Sequence, residues 1–295
     1  MSRYAYVNGV YVSPDEPAIA VEDRGFQFAD SVYEVIALIN GQLCDKRGHL
    51  DRLERSLREL RISAPVSREE LGEIINAVID KNQLCDGAIY IQISRGVGKR
   101  DFLFPDPDVT KPTLVVYGWP FDFTLTGEQV KGTRIVTGPD LRWARRDIKT
   151  TALLAQSMAK QQAVEAGADD CWMVDGEGFV TEATSSNAWI VIGRKLITRK
   201  ADHSVLKGVT RNAFKELLEK QNYEFEERSF TPEELYVADE AFATSATQLL
   251  KPVIEADGHT IKDGAVGPIC KKLIGAYAEY AGKGSDFQLS WSYDD

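Results

Sequence analysis

Apolar and polar residues alternate from the start of the chain. "YAYV" and "VYVS" flank Asn8-Gly9, a dipeptide suited to the positive-φ positions of a tight hairpin turn. A second Asn-Gly, at 40–41, separates "SVYEVIALI" from "QLCD" and predicts another such turn. The period then changes. Apolar residues at 50, 53, 57 and 60 of "RGHLDRLERSLREL" recur at helical spacing and predict a helix over 47–60. "SREE" reads as a capping box that opens a second helix at Ser67, running to about Asn82. "AIYIQIS" (88–94) and "PTLVVYG" (112–118) are apolar runs of strand length. "WPFDFTLTGEQ" (119–129) interrupts the pattern and reads as a linker. The prediction is a small N-terminal α+β domain over 1–118 and a larger domain over 130–295.

In that larger domain a helix is expected from Lys149 to Gly167, with the glycine as its stop. Short strands follow: "CWMV", then "FVTEA" across the turn "DGEG", then "AWIVI" and "KLIT". A helix is predicted from Gly208-Val209 to near Gln221. "TPEEL" (231–235) is a further capping box, with Pro232 at the first helical position. "EAFATS" and "KPVIEA" read as strands and "GPICKKLIGAYAEYA" as a closing helix, with a tail from about 283.

Composition narrows the classes. The 45 acidic residues outnumber 35 basic ones, for a net charge of −10, so no nucleic-acid partner is expected. No apolar run is long enough to span a bilayer, and "MSRYAYVNGVYV" lacks the apolar core of a signal peptide. A cytoplasmic protein without a membrane partner is the expectation. Cys44, Cys85, Cys171 and Cys270 lie far apart, which suits reduced thiols. The three histidines have no ligand spacing, so no metal is expected.

The chemistry concentrates in "TEATSSNAWIVIGRKLITRKADHSVLKGVTR", 181–211. It holds an acid on a strand, Glu182, a polar turn, and "LKGVTR" leading into a helix. A helix start offers unpaired N–H groups and a positive dipole end, the makings of an anion site. By themselves these residues also fit a plainer reading, with Glu182 a strand acid and Thr210 a helix cap.

Glu182-x-Thr184-x-x-Asn187-Ala188-Trp189, then Leu196-x-Thr198, then Leu206-x-Gly208-Val209-x-Arg211 resembles the signature of class IV aminotransferases. These are the fold-type-IV pyridoxal-phosphate enzymes. Position 189 carries Trp where the signature has Phe or Tyr. The resemblance extends through "VEDRGFQFADSVYEV", "HLDRLERS", "IQISRG" and "FATSATQLLKPVIEADG", and is greatest to bacterial D-amino-acid transaminases. It implies a two-domain α+β fold, the larger domain having a β-barrel-like core with flanking helices.

Site roles follow from the resemblance residue by residue. Lys149, in "RRDIK", stands where the family keeps its Schiff-base lysine, the amine that binds pyridoxal 5′-phosphate. Glu182 matches the carboxylate facing the pyridine nitrogen, and Arg52 the arginine on the cofactor phosphate, which alone would read as a helix-surface charge. Val209 and Thr210 supply helix-start amides, Ala246 an amide and Thr247 a hydroxyl to that phosphate, while Leu206 packs on the ring. Tyr33 and Arg100 match the group that traps a substrate carboxylate, Arg100 lying on a loop that reaches in from a partner subunit. Phe102 stands where that group has histidine, which makes room for bulkier or carboxylate-free donors. The implied activity is transfer of an amino group from a D-amino acid to 2-oxoglutarate or pyruvate, by a homodimer. An (R)-selective amine transaminase is the next reading, then a branched-chain aminotransferase or an aminodeoxychorismate lyase. A non-catalytic sensor on the same fold predicts loss of Lys149 or Glu182, and both are present.

Overall fold

The structure, a computed structural model, describes residues 4–13, 15–16, 18–123, 128–220 and 223–281. Its chain forms two compact units. The first comprises Met1–Phe123, Ile148–Ala152 and Ala281–Asp295; the second comprises Thr124–Asp147 and Leu153–Tyr280.

In the first unit, β1 (Ala5–Val7) and β2 (Val10–Val12) form the expected hairpin, with Asn8 at φ 47° and Gly9 at φ 99°. A short helix α1 (Arg24–Phe28) follows, which the hydrophobic pattern did not predict. Strands β3 (Ser31–Ile39) and β4 (Gln42–Leu43) turn at Asn40-Gly41, both again at positive φ. Helices α2 (Lys46–Leu60) and α3 (Arg68–Asn82) come next, the latter capped by Ser67, whose hydroxyl accepts from the Glu70 amide. Strands β5 (Gly87–Ser94) and β6 (Thr113–Pro120) complete an antiparallel sheet of order β2-β1-β6-β5-β3-β4. Residues 119 and 120 thus end β6, while 124–127 of the expected linker fall outside the described residues. Leu50, Leu53 and Leu57 of α2 and Ile75 and Val78 of α3 bury their apolar stripes with Val32, Ile36, Ile89, Ile91 and Val116 of the sheet. That burial is the main source of the unit's stability.

The second unit begins with β7 (Thr133–Pro139) and α4 (Leu154–Glu165). Strands β8 (Asp170–Val174), β9 (Val180–Ala183), β10 (Asn187–Ile192) and β11 (Lys195–Thr198) match the four predicted runs. Then come α5 (Val209–Lys220), β12 (Glu224–Glu227) and α6 (Pro232–Tyr236), whose Thr231–Glu234 capping box is formed in both directions. Strands β13 (Glu240–Ser245), β14 (Leu249–Ala256) and β15 (His259–Thr260) precede α7 (Pro268–Ala281). The sheet path is β12-β11-β10-β13-β14-β7-β8-β9, and β9 at its end lies back against β10, curling the sheet into a half-barrel. Trp172, Ile190, Phe230 and Val253 fill it. Among the described residues no helix is long and apolar enough to cross a membrane. The tail from 283 lies outside the described residues.

One expectation fails here. Helix α4 starts at Leu154, not at Lys149. The preceding backbone pairs with β3 instead: Tyr33 N donates to Lys149 O at 3.1 Å, Thr151 N donates to Ser31 O at 3.2 Å, and Val32 bridges Thr150. Two adjacent β-branched threonines suit this extended path better than a helix start.

Candidate active site

Lys149 sits half-buried between the buried Ile148 and Thr150. Its Nζ donates to the Tyr33 hydroxyl at 3.2 Å and lies 4.2 Å from the Tyr33 ring centroid. Tyr33 in turn stacks on Tyr90, with centroids 5.6 Å apart. Strand alternation therefore fixes the amine's surroundings. The residues of β3 on one face carry Tyr33, and those on the other carry Val32, Glu34 and Ile36, all fully buried.

Glu34 is a carboxylate on an apolar face. Arg52 answers it with a fork, Nε to Oε1 at 2.7 Å and Nη2 to Oε2 at 2.8 Å, and His49 Nδ1 lies 2.7 Å from Oε2. His49 and Arg52 are three residues apart on α2, so they share the helix face that meets β3. Burial pushes the Glu34 carboxyl up, but the charge and hydrogen bonds of Arg52, then those of His49, outweigh it and bring its pKa down to about 2. Burial first, and the positive charges of Arg52 and Lys149, hold His49 below its ordinary value despite Glu34. A neutral imidazole donating from Nδ1 satisfies both. Glu34 and His49 were not singled out in the sequence; the signal was an acid at a core position of the "SVYEV" alternation.

Arg100 and Phe102 lie together on the loop between β5 and β6. The Arg100 guanidinium stands 5.4 Å from the Phe28 ring centroid, and Phe102 meets Phe28 edge-on at 6.0 Å. Phe102 is 85% exposed, unusual for so large an apolar side chain.

In the second unit, Glu182 of β9 is buried and accepts on both oxygens. Oε1 takes a hydrogen bond from Arg142, while Oε2 takes one from Asn187 Nδ2 at 3.0 Å and one from Leu206 N at 3.3 Å. Arg142 is held by Asp140, with Nε at 2.9 Å and Nη2 at 2.7 Å, and Thr181 donates to the same acid at 2.8 Å. Burial disfavours the Arg142 charge, yet Glu182 and Asp140 raise its pKa above the ordinary value. Asp140 and Arg142 carried no recognisable spacing, so sequence reasoning passed over them.

The "LKGVTR" segment is built around Asn187. Its Nδ2 also donates to Leu206 O at 2.9 Å, and a Cβ at position 208 would collide with its Oδ1, so only glycine fits there. Val209 and Thr210, both buried, open α5, whose first backbone bond runs from Asn212 N to Gly208 O at 3.1 Å. Ala246 and Thr247 occupy the half-buried turn between β13 and β14. Trp189 is fully buried, stacks on Phe242 at 5.6 Å and donates from Nε1 to Thr244 at 2.9 Å, so the larger ring is accommodated. Lys149, Tyr33, Arg52, Arg100 and Phe102 thus belong to the first unit, and Glu182, Leu206, Val209, Thr210, Ala246 and Thr247 to the second.

A profile of the family "Amino-transferase class IV" matches residues 31–256. The D-alanine aminotransferase of Staphylococcus aureus strain N315 is 38% identical over 275 residues, covering 93% of this chain and 96% of the relative. That of Bacillus licheniformis is 38% identical over 266 residues, covering 90% and 93%. Among solved structures, the branched-chain amino acid aminotransferase of Escherichia coli superposes with a TM-score of 0.87 at 23% identity, covering 99% of this chain and 98% of its own. The branched-chain amino acid aminotransferase of T.th., solved with pyridoxamine 5′-phosphate, gives 0.87 at 25% identity, covering 97% and 96%. This chain belongs to the class IV aminotransferases, which take pyridoxal 5′-phosphate as their cofactor.

Proposed function

We propose that this aminotransferase moves the amino group of a D-amino acid to a 2-oxo acid, 2-oxoglutarate or pyruvate, as a cytoplasmic homodimer. The groups of the chain suit the cofactor. Lys149 offers an amine for its aldehyde, Glu182 a carboxylate for its ring nitrogen, and the α5 N-terminus with the Thr210 and Thr247 hydroxyls a donor set for its phosphate. Arg52, its plane fixed by the fork to Glu34, is the arginine for the same phosphate. Leu206 is the apolar contact for the ring. Bound pyridoxal 5′-phosphate supplies the electron sink that stabilises negative charge at the donor's Cα.

The observation that carries the reading is the 3.2 Å contact between Lys149 Nζ and the Tyr33 hydroxyl. An amine hydrogen-bonded to a hydroxyl and lying over a π face keeps a fixed direction. Lys149 would then move the proton from the donor's Cα to the cofactor carbon C4′ and, in the second half of the cycle, move one from C4′ to the Cα of the new amino acid. Tyr33 orients that amine and holds the substrate carboxylate, and Arg100 completes the carboxylate site from the partner protomer. Glu182, its oxygens fixed by Arg142, Asn187 and the Leu206 amide, would offer a bound cofactor a carboxylate held in one orientation.

A panel of D-alanine, L-leucine and (R)-1-phenylethylamine, with 2-oxoglutarate and pyruvate as acceptors, tests the reading. D-alanine is expected to be the best donor, and Lys149→Ala to abolish both turnover and the visible absorbance of the bound cofactor. Preference for L-leucine, or full activity of the alanine variant, would discard it. Preference for the phenylethylamine would instead give Phe102 the deciding role.

A further inference from the structure

Buried charge gathers at a second place in the first unit, around Asp30, just ahead of β3. Asp30 Oδ2 accepts from Arg24 Nε and from Arg95 Nε, both at 2.8 Å, and Oδ1 accepts from Arg95 Nη2 at 2.9 Å. Burial works against the Asp30 charge, but the two arginines hold its carboxyl below the ordinary value. The remaining donors reach outward. Arg95 Nη1 and Nη2 cap the end of α2 at Arg61 O and Leu60 O, at 2.9 and 2.8 Å. Arg24 Nη1 donates to Asp101 O at 2.7 Å, on the residue between Arg100 and Phe102.

The rings repeat the pattern. Arg24 lies 4.6 Å from the Phe28 centroid and 5.9 Å from that of Phe104, and Arg95 lies 3.6 Å from Phe104. Phe28 is the ring against which Arg100 and Phe102 rest. Arg24 therefore touches the substrate loop twice, once through its backbone and once through the ring beneath it. A bidentate guanidinium is the only side chain that can serve Asp30 and Asp101 O together while stacking on a ring.

We propose that Arg24 is a positioning residue for substrate selection: by pinning the Asp101 carbonyl and the Phe28 ring, it sets where Arg100 and Phe102 point, and so how a donor's carboxylate is recognised. This rests on the reading of Arg100 and Phe102 as substrate contacts. Arg24 has no part in holding the cofactor, whose groups lie on other residues.

The test compares holoenzymes of wild type, Arg24→Met, Arg24→Lys, Phe28→Leu and Arg100→Ala. Loss of a charge-assisted hydrogen bond predicts a KM for D-alanine raised about tenfold to a hundredfold in Arg24→Met. Its kcat and cofactor absorbance are expected to stay within about threefold of wild type, because only uniform binding is lost. Hydrogen exchange of the amides over 99–104 is expected to accelerate in the same variant. Arg24→Lys, which keeps the charge beside Asp30 but lacks the second nitrogen, should show the faster loop exchange with a smaller KM rise. Phe28→Leu, which leaves the Arg24–Asp30 pair in place, gives the same split if Arg24→Met does not fold. Loop exchange at the wild-type rate in all three overturns the positioning role; a fall in kcat or absorbance equal to the KM effect does so too. Arg100→Ala with a wild-type KM overturns the substrate reading instead, which keeps the two failures apart.

Discussion

Glu34 occupies a position that strand alternation assigns to the core, between Val32 and Ile36 on the buried face of β3. Its partners make it tolerable there. Removing one member of a buried, fully bonded charge set strands the others, so Glu34→Gln is expected to destabilise the fold by about 3–5 kcal/mol at neutral pH. The sign with pH follows from the depressed carboxyl. Its folded pKa of about 2 lies below the ordinary 4.5, so the carboxylate stabilises the fold fully above pH 4.5 and loses that contribution as pH falls toward 2. His49, held below 6.5, adds acid lability beginning higher. Urea midpoints measured from pH 7 to 3 should therefore fall steeply for the wild type and more gently for the Gln variant, the two converging at low pH; parallel curves would refute this. At this scale the sequence was uneven. Lys149, Glu182 and Arg52 were singled out because their neighbours match long family motifs, whereas pairings such as Arg24–Asp30, Arg52–Glu34, Arg142–Glu182 and Arg95–Asp30 join residues 6 to 65 positions apart that no local pattern encodes.

Elements were more legible where the backbone itself dictates residue choice. Both Asn-Gly turns, the Ser67 cap and the Thr231 box stand where their turn and cap chemistry predicts. Elements without punctuation were missed: α1 has five residues, β7 mixes polar and apolar positions, and β12 reads "EFEE" and pairs in parallel with β11. The start of α4 was misplaced because tertiary pairing with β3 claims the backbone that helix propensity would have used. The junction of β10 and α5 supports a prediction at this scale. Gly208→Ala forces the Asn187 side chain off Gly208 and so off Glu182 and Leu206. Overpacking of this kind costs about 1–3 kcal/mol, and the Glu182 carboxylate loses a donor with it. Cofactor affinity of the apoenzyme, read by titration of visible absorbance, should fall with thermal stability; unchanged affinity would show that the Asn187 link is dispensable.

For the whole molecule, the class of fold was legible from alternation, capping and the signature, but its division along the chain was not. Sedimentation equilibrium is expected to give twice the 32.8 kDa chain mass for the proposed homodimer, and a single-chain mass would remove the partner's Arg100 from the scheme. The chain leaves the first unit at Phe123, returns to it for the five residues Ile148–Ala152, and leaves again. Those five residues hold Lys149, joined to Tyr33 across 116 positions of sequence. The amine proposed to react is thus a stitch sewn into a sheet that is otherwise complete without it. A chain growing from its N-terminus can pair β3, β5 and β6 long before Lys149 exists, so catalytic competence arrives as a separate, later event than the sheet that hosts it. A nick anywhere between 128 and 147 would leave the sheet covalently intact while making its lysine a passenger on another fragment.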